Sequence, residues 1–288
     1  MTQEQPPLKI RTALTAFPER YELPARPSAA SPLVQDAYRQ TQFLLPADLA
    51  LFERAMNLQL AIVAANAKRR TPAAAALFGL WSRAFAYLAD ACTLLSRGSY
   101  VSCPPILRTA CDCIAAQRSL LSEDADDFSN WLANAYRQDP EKAALALNLG
   151  RFRAGSVLAQ DESLGAAYRL LTDLSMPHFG ATALLVAPDS GLQRLSITFA
   201  DSAFHLGWAE LIAGWLLLLA DLQLETAIGS GLFAVGDQLR QEHERLSLDI
   251  ATAVANPRRC QAQELEGGRR LIRNFRRSSS GVPKRILL

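Results

Sequence analysis

The sequence predicts an all-α protein: a single helical bundle of about eight or nine helices, preceded by an extended proline-rich arm and followed by a basic tail. Three observations carry this. Half of the 288 residues are hydrophobic, ample for a packed core. From Ala47 to residue 256 apolar residues recur at spacings of three and four, the helical period. Proline, which breaks helices, is concentrated ahead of that stretch, with seven of fifteen in the first 46 residues.

Residues 1–46 read as an arm with one short helix near 33–44, because proline at that density favours extended chain. In "ADLALFERAMNLQLAIVAANAKR" Leu49, Phe52, Met56, Leu60 and Val63 form one helical stripe. Thr71 and Pro72 open the next helix as cap and first-turn proline, and Gly98 closes it. "PPILRTACDCIAAQRSLL" starts in the same way. Ser122 is expected to cap a helix over "EDADDFSNWLANAYRQ", whose early acids suit the positive end of the helix dipole. Asp139 and Pro140 open another, and Asp161 caps the helix that carries Tyr168.

Within "YRLLTDLSMPHFGATALL", Pro177 should stop the helix near Leu174, and Ser175 should cap a second helix with Pro177 in its first turn. His178 then reads as a structural histidine bonded to a neighbouring helix, or as a pocket residue beside free backbone N–H groups. "LQRLSITFA", 192–200, alternates like a strand, but among helices it is expected to be an irregular or helical connection. Two long helices, about 202–228 and 231–255, are hinged at "GSG" and close the bundle domain, 47–256.

Formal net charge is +2, yet from Pro257 onward nine Lys and Arg face only Glu264 and Glu266, so the first 256 residues carry −5. Residues 257–288 read as a basic, flexible tail. Its Arg269, Arg270, Arg273, Arg276 and Arg277 suit phosphates, and Phe275 suits stacking on a base; the alternative is a solvated terminus.

Several chemistries are disfavoured. Cys103, Cys111 and Cys113 lie close in sequence, but on a helix Cys111 and Cys113 point about 200° apart, unsuited to one tetrahedral ion. They read as core. Five cysteines, an odd number, do not suggest a disulfide framework and fit a reducing cytoplasm. No phosphate loop or hydrolase elbow occurs, and no glutamate stands three residues before a histidine as a di-iron bundle needs. No cofactor and no metal are expected. No signal peptide opens the sequence. The apolar run "LIAGWLLLLA" spans 211–220, where a membrane span needs about 20 residues, so it reads as a buried helix.

Two segments resemble a group of prokaryotic helical proteins. "RGSYVSCPPILRTACDCIAAQRSLL" is similar to that group's second helix, where a small-residue turn precedes an arginine and then an acid one turn later: here Arg108 and Asp112. "YRLLTDLSMPHFG" is similar to its tyrosine, serine and histidine segment, giving Tyr168, Ser175 and His178 as candidate ligand-binding residues. The group is loosely similar to the HEPN bundles, and the resemblance covers about 70–200. HEPN ribonucleases carry an arginine, four to six residues, then a histidine. Here Arg169 to His178 leaves eight between and Arg240 to His243 leaves two, so nuclease activity is not implied. The expected function is a non-catalytic cytoplasmic binding module with a protein partner or a second copy, in a defence or toxin–antitoxin setting that only the resemblance implies. The alternatives are a divergent HEPN-like ribonuclease or nucleotide-modifying enzyme using His178 with Arg108, Asp112 or Arg169, and nucleic-acid binding through the tail.

Overall fold

Short polar side chains and prolines set the helix starts in the computed structural model, which describes residues 14, 16–69, 71–122, 126–128, 130–131, 150–191 and 193–288. Helix α1 spans Pro32–Leu44, with Ser31 Oγ accepting from Val34 N and Pro32 in the first turn. Helix α2 spans Pro46–Asn66 and again opens on proline. Thr71 caps α3, Pro72–Ser96, accepting from Ala74 N at 3.2 Å. Gly98 ends it at φ +70°, and a Cβ there would lie 2.3 Å from Ser202 O. Only glycine suits both demands.

After a 3-10 turn at Tyr100–Ser102 comes α4, Cys103–Ser122. Then follow α5, Ala154–Gln160; α6, Glu162–Ser175; α7, Phe179–Val186; α8, Leu206–Gly229; and α9, Asp237–Val254. Besides these nine α-helices, residues 126–128 and 130–131 are helical among the described residues. Most of the helix expected after Ser122, and the Asp139–Pro140 start, lie outside those residues.

Helix α8 is the hub. It packs on α2, α3, α4 and α9, and its apolar face runs almost all the way round, as a central helix requires. By length and composition it would also pass as a membrane span, but most of it is buried within the bundle. Amide side chains tie the core together. Gln117 of α4 and Gln223 of α8 exchange hydrogen bonds at 2.7 and 2.9 Å, and Trp81 Nε1 donates to Gln59 Oε1 at 2.7 Å. Asn57 brackets the backbone of Tyr21, and Asn66 brackets that of Ala234, each side chain both donating and accepting. A buried amide can satisfy a neighbouring peptide group as another strand would. All five cysteines are buried.

Three expectations are corrected. The break at Pro177 is longer than expected: α6 runs through Ser175, and Met176 takes φ −86°, ψ 151°, the extended state that a residue before proline prefers. Ser175 does not cap α7. Its Oγ donates back to Leu171 O, and His178 stands at the N-cap without a side-chain bond. The last helix begins at Asp237, not 231, because Asn66 holds the 230–236 connection at Ala234.

The third correction is the tail. Residues 257–288 are not a free end but carry an antiparallel sheet in the order β1–β2–β3: Gln261–Glu264, Arg270–Phe275 and Lys284–Leu287. Ile272 and Phe275 are both buried, Phe275 to 1% exposure. Residues three apart on a regular strand face opposite ways. Here the register shifts between them, with Asn274 at φ 58° and its Nδ2 donating to Pro257 O and Arg259 O. This bulge turns both side chains toward the bundle.

Candidate functional site

The residues that carried the resemblance meet in part. Arg108 on α4 donates through Nε to Thr172 Oγ1 at 3.2 Å and through a terminal nitrogen to Tyr168 Oη at 3.0 Å. Its guanidinium also lies 5.3 Å from the Tyr168 ring centroid, within cation–π range. Asp112 makes no ion pair with Arg108 within 4 Å; burial pushes its carboxyl up, and Arg108 draws it down. Arg108 thus braces α4 to α6 instead of pairing with Asp112 one turn further along its own helix.

His178 is exposed and its ring makes no hydrogen bond among the described residues, so the expected buried structural histidine is overturned: the longer break carries it away from neighbouring helices. It shares no bond with Arg108 or Asp112. Arg169 turns to the C-terminal sheet and pairs with Glu264 at 2.7 Å. Nearly three turns further along α4, Arg118 bonds Asp161, Thr226 Oγ1 at 2.8 Å and Glu225, joining α4, α6 and α8.

The other histidines are also placed for structure. His205 caps α8, its Nδ1 accepting from Trp208 N at 3.3 Å. Burial first, and then Arg277, lowers its pKa to about 4, so the ring is a neutral acceptor. His243 Nε2 and Ser247 Oγ both bond Asp221, at 3.1 and 2.8 Å. A catalytic triad needs the imidazole between serine and carboxylate; here the carboxylate stands between, and the serine has no base. Burial raises the thiol of every cysteine, leaving poor nucleophiles. Among the described residues no group of three or more His, Cys, Asp or Glu is placed to hold a metal.

The tail arginines are largely spent on the body. Arg259 bonds Asp48 at 2.8 Å and the carbonyl of Glu210 through two nitrogens. Arg270, 7% exposed at its side chain, pairs with Glu264 and Asp173. Arg276 lies 3.7 Å from Glu210, and Arg277 2.9 Å from Asp189 and 3.7 Å from Asp201. Phe275 packs on His205 and edge-on to Trp208, so it is not available to a base. Arg269 and Arg273 remain exposed. A cavity of about 380 Å³ between α8 and the sheet is lined by Glu210, Trp215, Leu218, Arg259, Gln261 and Arg273. Its volume would suit a small ligand, and three of the five N–H groups of Arg259 already go to protein acceptors.

Among the described residues, exposed apolar side chains are frequent in the stretch from Met176 to Phe199. Met176, Phe179, Leu195, Ile197 and Phe199 are exposed, Phe179 to 99% and Phe199 to 97%. They sit on the start of α7 and on the connection from α7 to α8. The sequence signal was the strand-like alternation at 192–200, whose apolar positions were not then assigned to a surface. The molecule is thus a helical bundle closed by a small C-terminal sheet, with one apolar strip. Comparison with known proteins finds no matching family model, no similar curated protein and no similar solved structure.

Proposed function

We propose that this protein is a non-catalytic binding module that engages a protein partner through the strip from Met176 to Phe199. The observation that supports this most is the full exposure of Phe179 and Phe199. Two solvated phenylalanines beside Leu195 and Ile197 cost hydration free energy that contact with a partner would recover, about 1.5–3 kcal/mol per fully buried side chain. The paired arginines, buried thiols and Ser247 form no nucleophile–histidine pair among the described residues, and the exposed His178 stands by itself, which favours binding over catalysis. The resemblance to HEPN-like proteins and its defence or toxin–antitoxin setting remain part of the proposal, supported by the meeting of Arg108 with Tyr168. Nucleic-acid binding through the tail is disfavoured by the burial of Phe275.

The test is capture of partners from source-cell extract by the full chain and by a Phe179→Ser, Phe199→Ser double variant. The variant should keep its melting temperature and lose the captured partner. Equal capture by both proteins would sink the proposal.

A further inference from the structure

The exposed strip has a backbone as well as side chains. Ser196 N donates to Ser190 Oγ at 3.0 Å, and Thr198 N donates to Val186 O at 2.8 Å. In an extended chain, N–H and C=O groups two residues apart point the same way. Ser196 and Thr198 therefore hold the segment to the body, while the peptide groups of Leu195 and Ile197 point outward. Neither finds a partner among the described residues. The segment is an irregular connection, not a strand of any sheet, but its apolar side chains and its free donors and acceptors around Ile197 are what a pairing strand needs.

From this we infer that the strip pairs with a second copy of this chain, antiparallel and centred on Ile197; the inference rests on the interaction reading above. The sequence around Ile197 reads apolar, hydroxyl, apolar, hydroxyl, apolar, from Leu195 to Phe199, and is the same in class from either end. A twofold axis through Ile197 sets Leu195 opposite Phe199 of the second copy, on one face, and Ile197 opposite itself. Charge agrees with the antiparallel sense. Arg194 precedes the strip, exposed and with no ion pair among the described residues, and Asp201 follows it, 3.7 Å from Arg277. Antiparallel pairing brings the cation of each copy to the anion of the other; parallel pairing would set like charges together. Ala200, at φ 53°, ends the segment and limits the pair to a few hydrogen bonds, so the dimer forms at micromolar concentration or above.

Analytical ultracentrifugation of the full chain across a concentration series should show reversible doubling of mass. Ile197→Pro removes the central outward donor, while Thr198 keeps its bond to Val186; it should weaken the dimer at least tenfold with the melting temperature unchanged. Register is tested by cysteine cross-linking, with low background because the native thiols are buried. Ile197→Cys should form a disulfide with its own copy, the Cα separation of about 5.5 Å in such a pair being permissive. Leu195→Cys or Phe199→Cys alone should not, whereas a mixture of the two should. A monomer at every concentration, a dimer indifferent to Ile197→Pro, or Leu195→Cys linking to itself as readily as Ile197→Cys would each overturn the inference. A monomer whose partner capture still depends on Phe179 and Phe199 would do so while leaving the interaction reading intact.

Discussion

The C-terminal segment and the Met176–Phe199 segment exchange the roles that their compositions suggest. The first is rich in arginine and yet is built into the body. The second is rich in apolar residues and yet sends Met176, Phe179, Leu195, Ile197 and Phe199 into solvent. The difference is the presence of complementary groups elsewhere in the chain. Asp48, Asp173, Asp189, Asp201 and Glu210 all belong to the acidic body, and each faces an arginine from beyond Pro257. Much of the opposite charge of body and tail is therefore matched within one chain, while Arg269 and Arg273 stay exposed. Among the described residues no such complement covers Phe179, Leu195, Ile197 or Phe199. Position in a charge map, not composition, decides which segment is surface.

The contrast is broken most severely by removing the C-terminal sheet. Phe275→Ala should destabilise by about 3–5 kcal/mol in urea melts, as loss of a buried aromatic does, and deletion of 267–288 should cost more or prevent folding. A truncated chain with an unchanged melting temperature would restore the flexible tail. Next comes pH. His205 has a folded pKa of about 4 against an ordinary 6.5, so the unfolded state binds its proton first. The stability it confers is complete above pH 6.5 and is lost as pH falls toward 4, up to about 3 kcal/mol. His205→Asn, which can still cap α8, should flatten that slope; an equal slope in both proteins would refute the role.

A smaller effect is expected at the α4–α6 brace. A double-mutant cycle of Arg108→Ala and Tyr168→Phe should give a coupling of about 1 kcal/mol, that of a partly exposed charge-assisted hydrogen bond. Zero coupling would mean that solvent serves Arg108 equally well. The least effect belongs to His178→Ala, within about 0.5 kcal/mol of wild type by thermal melting, as for exposed residues without partners. A larger loss would show that the ring packs against something.

Much of the helical framework was legible because helix starts are local chemistry. Ser31, Thr71, Asp161 and the opening prolines act within one turn of themselves, and a reader of sequence sees the same neighbours as the backbone does. Ser175 misled because two local solutions compete: a serine can cap forward or bond back to the fourth preceding carbonyl, and the extended Met176 selects the second. The sheet was illegible for another reason. Ile272 and Phe275 share a face only through the bulge at Asn274, so the period-two signal of a strand is missing from "RLIRNF". The burial of Arg259 and Arg270 depends on carboxylates far away in sequence, which no local window contains. Of the candidate site residues, Arg108 meets Tyr168 across α4 and α6, a contact between two segments that sequence reading treated separately, and His178 lies apart from both.

The backbone carbonyls of Arg276 and Arg277 accept hydrogen bonds from Gly207 N and Leu206 N, at 2.9 and 3.0 Å. Gly207 allows the approach, since a Cβ there would lie 2.9 Å from Phe275 Cδ2. The first turn of the central helix is thus finished by residues made roughly seventy positions later. During synthesis α8 emerges apolar on nearly all sides, its opening amides unanswered, while the ribosome is still translating what will answer them. A chain that stops early can still pack that helix on α2, α3 and α4, but it leaves the first turn and the face that meets α9 and the sheet uncovered. Translation speed between codons 230 and 277 then becomes a determinant of yield, and chaperone dependence should fall once residue 277 has cleared the exit tunnel.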